Sequence, residues 1–131
     1  MTTTKYGFGK TVKTSFDAAI AKVTEELQKE GFGVLTEIDV SATLKKKIGK
    51  DIPPYRILGA CNPNYASKAI DAEPSIGLLL PCNVVVRQDP AGAVRVEFMD
   101  PIAVLQLVDS AEVAPIAREV RQRLERVLQA V

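Results

Sequence analysis

The chain has no histidine, no tryptophan and only two cysteines among its 131 residues. Without histidine, the commonest general base and the commonest nitrogen ligand for a metal are both missing. The cysteines, at positions 61 and 82, match no structural zinc spacing; Glu37 or Asp39 could complete a mixed ligand set, but nothing in the spacing requires it. The expectation is no metal site and no cofactor. Aromatic residues are 5% of the chain, too few for a base-stacking surface, and a net charge of +1 lacks the basic excess of a nucleic-acid binder. No apolar run is long enough to span a bilayer, since Ile76–Val86 is interrupted by Pro81 and Asn83. No apolar stretch follows Met1–Tyr6, so no secretory leader is expected. A cytoplasmic location follows as the default, with thiols kept reduced and no structural disulfide. Walker loops, Gly-x-Gly-x-x-Gly and Gly-x-Ser-x-Gly are absent as well.

What remains is a patterned chain of single-domain length, residues 1–131. Phe8–Val12 reads as an edge strand. Thr14 offers a cap for a helix over about 15–30, with Phe16, Ile20, Val23 and Leu27 on one face and Gly31 as its terminator. Phe32–Val40 reads as a strand in which Val34, Thr36, Ile38 and Val40 face one way and Leu35, Glu37 and Asp39 the other. Ser41 is placed to cap a short helix closed by Gly49. Tyr55–Cys61 is the next strand. Asn62 followed by Pro63 is an N-cap with proline at the first helical position, opening a short helix that stops before Pro74.

Ser75–Arg87 reads as one long apolar strand with Pro81 inside it, which implies an edge position or a bulge. Asp89–Gly92 is a turn and Ala93–Met99 alternates, with Val94, Val96 and Phe98 inward. Asp100–Pro101 opens another short helix. Val113, Ile116, Val120, Leu124, Val127 and Val131 form the stripe of a last, amphipathic helix. Helices do not alternate regularly with strands. The fold class is therefore α+β: a mostly antiparallel sheet with long helices packed on one face.

The chemistry available lies mainly in two similar segments, Ala60–Cys61–Asn62–Pro63 and Leu80–Pro81–Cys82–Asn83. Cys61 precedes a helix start, where unpaired amides and the helix dipole favour a thiolate; the alternative is a thiol that simply fills space. Cys82 is expected either as a core residue beside Leu78, Leu80, Val84 and Val86 or as a thiol re-aimed by a bulge at Pro81. The strands carrying the thiols are consecutive, so Cys61 and Cys82 are expected to share a hollow with Asn62 and Asn83. Glu37 and Asp39 form an i, i+2 carboxylate pair that is either an acid–base pair or a solvated strand face. Lys45–Lys46–Lys47 reads as a solvated helix face.

Gly31–Asp39, Tyr55–Pro63, Gly77–Val86 and the Asp100–Pro101 step resemble the domain of unknown function 302 family. The resemblance covers nearly the whole chain. It implies a strand, helix, four strands, helix core with a curved antiparallel sheet, and a homodimer. It brings no settled activity. The motif positions it shares are Glu37, Cys61, Asn62, Pro63, Pro81, Cys82 and Asn83. The leading expectation is a small homodimeric domain that binds a small-molecule ligand or a partner, with Glu37, Cys61, Asn62, Cys82 and Asn83 as its ligand-binding residues. The alternative is a thiol-dependent redox or transfer enzyme with Cys61 as nucleophile and Cys82 as resolving partner. A purely structural module, associating through the apolar face of the sheet, is the third.

Overall fold

Apolar residues recurring every three or four positions hold a helix together only against a second surface. In the computed structural model, which describes residues 1–131, that surface is a six-stranded sheet. The strands are β1 (Thr2–Thr3), β2 (Gly7–Val12), β3 (Gly33–Asp39), β4 (Tyr55–Cys61), β5 (Cys82–Gln88) and β6 (Val94–Met99). They are antiparallel throughout, in the order β1-β2-β6-β5-β4-β3. The helices are α1 (Phe16–Lys29), α2 (Val40–Ile48), α3 (Pro63–Ala72), α4 (Pro101–Leu105) and α5 (Val113–Ala130), with 3₁₀ turns at Pro74–Leu79 and Gln106–Val108. The fold is α+β, and β2-α1-β3-β4-β5-β6-α5 is the strand, helix, four strands, helix core.

Period two in the strands decides which face is covered. Phe8, Leu58, Val84, Val86, Val96 and Phe98 are buried, and Ala19, Val23 and Leu27 of α1 and Leu124 and Val127 of α5 pack on them. Phe8 and Phe98 stack with ring centroids 5.6 Å apart. Each fully buried Leu or Phe contributes about 1.5–3 kcal/mol of transfer free energy. The guanidinium of Arg121 lies 4.0 Å from the Phe8 ring centroid and is held there by Asp100 at 2.6 Å and Glu125 at 2.9 Å. The opposite face of the sheet carries Tyr55, Asn83, Val85, Arg87, Arg95 and Glu97 and faces away from α1 and α5, with Val104 of α4 at its margin.

Several local expectations are corrected. The cap of α1 is Ser15, not Thr14: the Ser15 hydroxyl accepts from the Ala18 amide. The cap of α2 is Asp39, not Ser41. The Asp39 carboxylate accepts from the Ala42 amide and the Ser41 hydroxyl, so Val40 belongs to the helix rather than the strand. β2 is not an edge, because Thr2 and Thr3 pair along it.

The long strand expected over residues 75–87 forms only from Cys82 onward. Pro74 starts a 3₁₀ turn instead, Ile76 is buried by that turn, and Leu78 is 87% exposed rather than in the core. Pro81 has no amide to give the ladder, so pairing with β4 begins one residue later at Ala60–Cys82. In β3 the register shifts between Val34 and Thr36, with Leu35 as the extra residue. The shift puts Val34 and Thr36 on opposite faces, against the simple alternation.

Candidate functional site

β4 ends at Cys61, α3 begins at Pro63, and the chain returns through the 3₁₀ turn to start β5 at Cys82. These pieces leave a cavity of about 340 Å³ between the end of the sheet and the helices. Ala60, Cys61 and Cys82 line it from the sheet, Tyr65, Ala66, Ala69 and Ile70 from α3, Gly77, Leu80 and Pro81 from the turn side, and Ile116 and Val120 from α5. Its polar groups are few: the two thiols, Asn62, Thr36 and the Tyr65 hydroxyl. Gly59 makes the corner possible. A Cβ there would lie 2.9 Å from Pro81 Cγ and collide with Thr36 Oγ1, so the missing side chain lets the Leu35 bulge and the Pro81 ring close on the strand.

Both thiols are free. Cys82 is buried, and burial pushes its pKa up to about 12, with the neighbouring Cys61 adding to the shift. Burial also raises Cys61, which is half-buried. The helix-start argument pointed the other way, and burial reverses it: a thiolate there loses water that one helix end does not replace. Both sulfurs are therefore protonated at neutral pH.

Asn62 occupies the N-cap position of α3 without capping it. Its Nδ2 donates instead to the Glu30 carbonyl at 3.3 Å, tying the start of α3 to the end of α1. Arg123 of α5 completes the tie: its Nη1 donates to the same carbonyl at 3.1 Å and its Nε to the Tyr65 hydroxyl at 3.1 Å. Tyr65 in turn donates to Glu119 at 3.2 Å. Sequence reasoning missed this rim, because Tyr65 and Arg123 belong to helices far apart in the chain and carry no shared motif.

Of the five residues expected to meet, Cys61, Asn62 and Cys82 line the cavity. Glu37 and Asn83 do not. Glu37 faces the helix side of β3, where its carboxylate accepts from Arg56 at 2.9 Å. Arg56 also reaches Asp39 at 3.3 Å and lies 5.6 Å from the Phe16 ring centroid. The pair Glu37/Asp39 does share a face, but one arginine bridges both carboxylates. Asn83 follows buried Cys82 in the strand and so points to the open face of the sheet. Lys45 pairs with Asp51 at 2.9 Å. No three His, Cys, Asp or Glu side chains are grouped so as to hold a metal ion. No helix is long and apolar enough to cross a membrane.

A family model described as "Domain of unknown function DUF302" matches residues 8–131. A crystal structure of an uncharacterized conserved DUF302 protein from Bacillus stearothermophilus superposes with a TM-score of 0.88 at 30% sequence identity, over 95% of this chain and 96% of that one. No curated protein matches.

Proposed function

The chain belongs to the DUF302 family, and from that premise we propose that it is a small homodimeric domain that binds an apolar small molecule in the cavity beside Cys61 and Cys82. The observation that carries this reading is the cavity itself. At about 340 Å³ it is in the size range of small-molecule sites, and it combines a hydrocarbon wall with a few polar groups. Cys61 and Asn62 stand where an extended strand gives way to α3, so a ligand there touches one thiol and one amide while its bulk lies on Ala66, Ala69 and Ile70. The protonated state of both sulfurs favours binding over thiolate chemistry, because a thiol with a raised pKa is a poor nucleophile at neutral pH. Support for a second copy comes from the cavity's surroundings. Leu35 is 68% exposed at the bulge and Ile38 is 48% exposed on edge strand β3, with Leu78 exposed on the 3₁₀ turn.

The test is native mass spectrometry of the protein purified from its own cells, which reads copy number and retained ligand together. The expected result is a dimer carrying added small-molecule mass. Gly77→Phe places a ring from a position where a Cβ meets nothing within 4 Å, at the cavity wall, and is expected to abolish that added mass while leaving the fold intact. Protein that never carries added mass, or a Gly77→Phe variant that retains it, overturns the binding reading.

A further inference from the structure

The face of the sheet turned away from α1 and α5 carries a second concavity. It is a groove of about 470 Å³ over β2, β6 and β5, and no residue that lines it lines the thiol cavity. Arg87 of β5 and Arg95 of β6 are direct cross-strand partners on its floor. Like charges placed opposite each other in a ladder repel. Elsewhere Arg56 meets both Glu37 and Asp39, and Arg121 both Asp100 and Glu125, while Arg123 and Arg126 share Glu30 at the protein's rim. Here two guanidiniums share one carboxylate. Arg87 Nε donates to Glu97 at 2.6 Å, while Arg95 Nε stands 3.8 Å from the same side chain.

Arg95 Nη1 donates to Thr11 at 3.0 Å. The Nη groups of Arg87 and Nη2 of Arg95 have no protein acceptor. Glu97 is the sole acid lining the groove. Asp89, also near Arg87, lies in the turn outside it, with its Oδ1 accepting from the Ala91 and Ala93 amides. The floor thus keeps one unmatched positive charge on half-buried arginines, where attraction for an anion is less screened than in open water. Beside the charge the wall is apolar: Val85, Met99 and Val104 line the same groove, with Tyr55 opposite Arg87 and Asn83 beyond Val85 as further polar groups.

We infer that this groove is a binding site for a small amphipathic carboxylate, its head group on Arg87 and Arg95 and its apolar body over Val85 and Met99. Glu97 is the internal competitor for the arginines, holding Arg87 until a ligand takes part of its place. The volume suits a molecule of one or two rings rather than a polymer.

The probe is 2-naphthoate, compared with neutral 2-naphthamide and with inorganic phosphate, followed by amide chemical shifts of the full chain. Naphthoate is expected to shift the amides of Val85, Arg87 and Arg95, to bind more weakly as salt is added, and to outcompete the amide by about tenfold, as loss of a charge-assisted contact implies. Phosphate alone, lacking the apolar body, is expected to bind more weakly than naphthoate. Arg95→Gln is expected to weaken naphthoate by a similar factor, and Glu97→Gln, which removes the competitor, to tighten it. The amide spectrum of each variant reports at once whether it is folded. Shifts confined to Ala66 and Ala69 in the thiol cavity, equal binding of naphthamide, no response at millimolar naphthoate, or a folded Glu97→Gln variant that binds no better each overturn the site. The thiol-cavity reading survives any of them, since Gly77→Phe tests it separately.

Discussion

At the scale of single residues, the two thiols decide how the chain can act. Their similar sequence settings, each within two residues of a proline and followed by asparagine, conceal different surroundings. Cys82 is the first residue of a central strand and points under the helices; Cys61 is the last residue of its neighbour and remains half-buried at the cavity. Burial raises both pKa values, Cys82 to about 12, so neither carries an appreciable thiolate near neutrality. Iodoacetamide at neutral pH is therefore expected to leave Cys82 untouched in the native protein and to modify Cys61 slowly. The Cys61 rate should keep climbing as pH passes the ordinary thiol value near 9.0. In denaturant both should react alike. Peptide mass spectrometry of timed samples reads this out. Fast labelling of native Cys61 that levels off near neutral pH would put the thiol-enzyme reading ahead of the binding one.

At the scale of elements, the ends of helices carry most of the specification. α1 stops in a Schellman arrangement: the Phe32 amide bonds the Leu27 carbonyl and the Gly31 amide bonds the Gln28 carbonyl, while Phe32 and Leu27 are both buried. Gly31 sits at φ +85°, which an L side chain adopts only at a cost. A Cβ there would also stand 2.9 Å from Nδ2 of Asn62, the group that ties α3 to the same turn. Gly31→Ala is expected to lower stability by about 1–2 kcal/mol from the backbone alone, with more if Asn62 must move. Urea denaturation of the variant checks it; an unchanged midpoint would contradict the assignment. Gly31 was legible as a helix end from its place after a periodic apolar run. The partner of Asn62 was not, because the sequence says that asparagine can cap a helix but not that a carbonyl from another helix will claim its side chain.

At the scale of the whole molecule, charge pairs lock the periphery. Hydrogen bonding by Lys29, and then Lys22, holds the Glu26 carboxyl below its ordinary value near 4.5. Arg126 does the same for Glu30, and the Ala42 amide holds Asp39 below its ordinary 3.8. Between the ordinary and the lowered values the unfolded chain binds protons that the folded protein does not, so the free energy of unfolding rises with pH in that window. Stability is expected to be level above about the ordinary carboxylate range and to fall as pH drops through the native values. Urea titrations stepped from neutral to acid pH measure it. Added salt should shrink the fall where the pairs are exposed. A stability that holds or grows on acidification would contradict the assignment.

Sequence by itself determined the class of fold, the α1 and α5 core stripes, the β5–β6 hairpin and the meeting of Cys61, Asn62 and Cys82, because period, turn residues and strand adjacency are local signals. Only the tertiary structure decided the rest. One extra residue at Leu35 re-phased β3, and Pro74 and Pro81 together delayed the start of β5. Alternation after buried Cys82 leaves Asn83 on the open face of the sheet, away from the cavity, while Arg56 drew Glu37 into an ion pair on the other face. Which side of a sheet a polar residue occupies depends on register, and register is settled by pairing between segments that no short stretch of sequence contains.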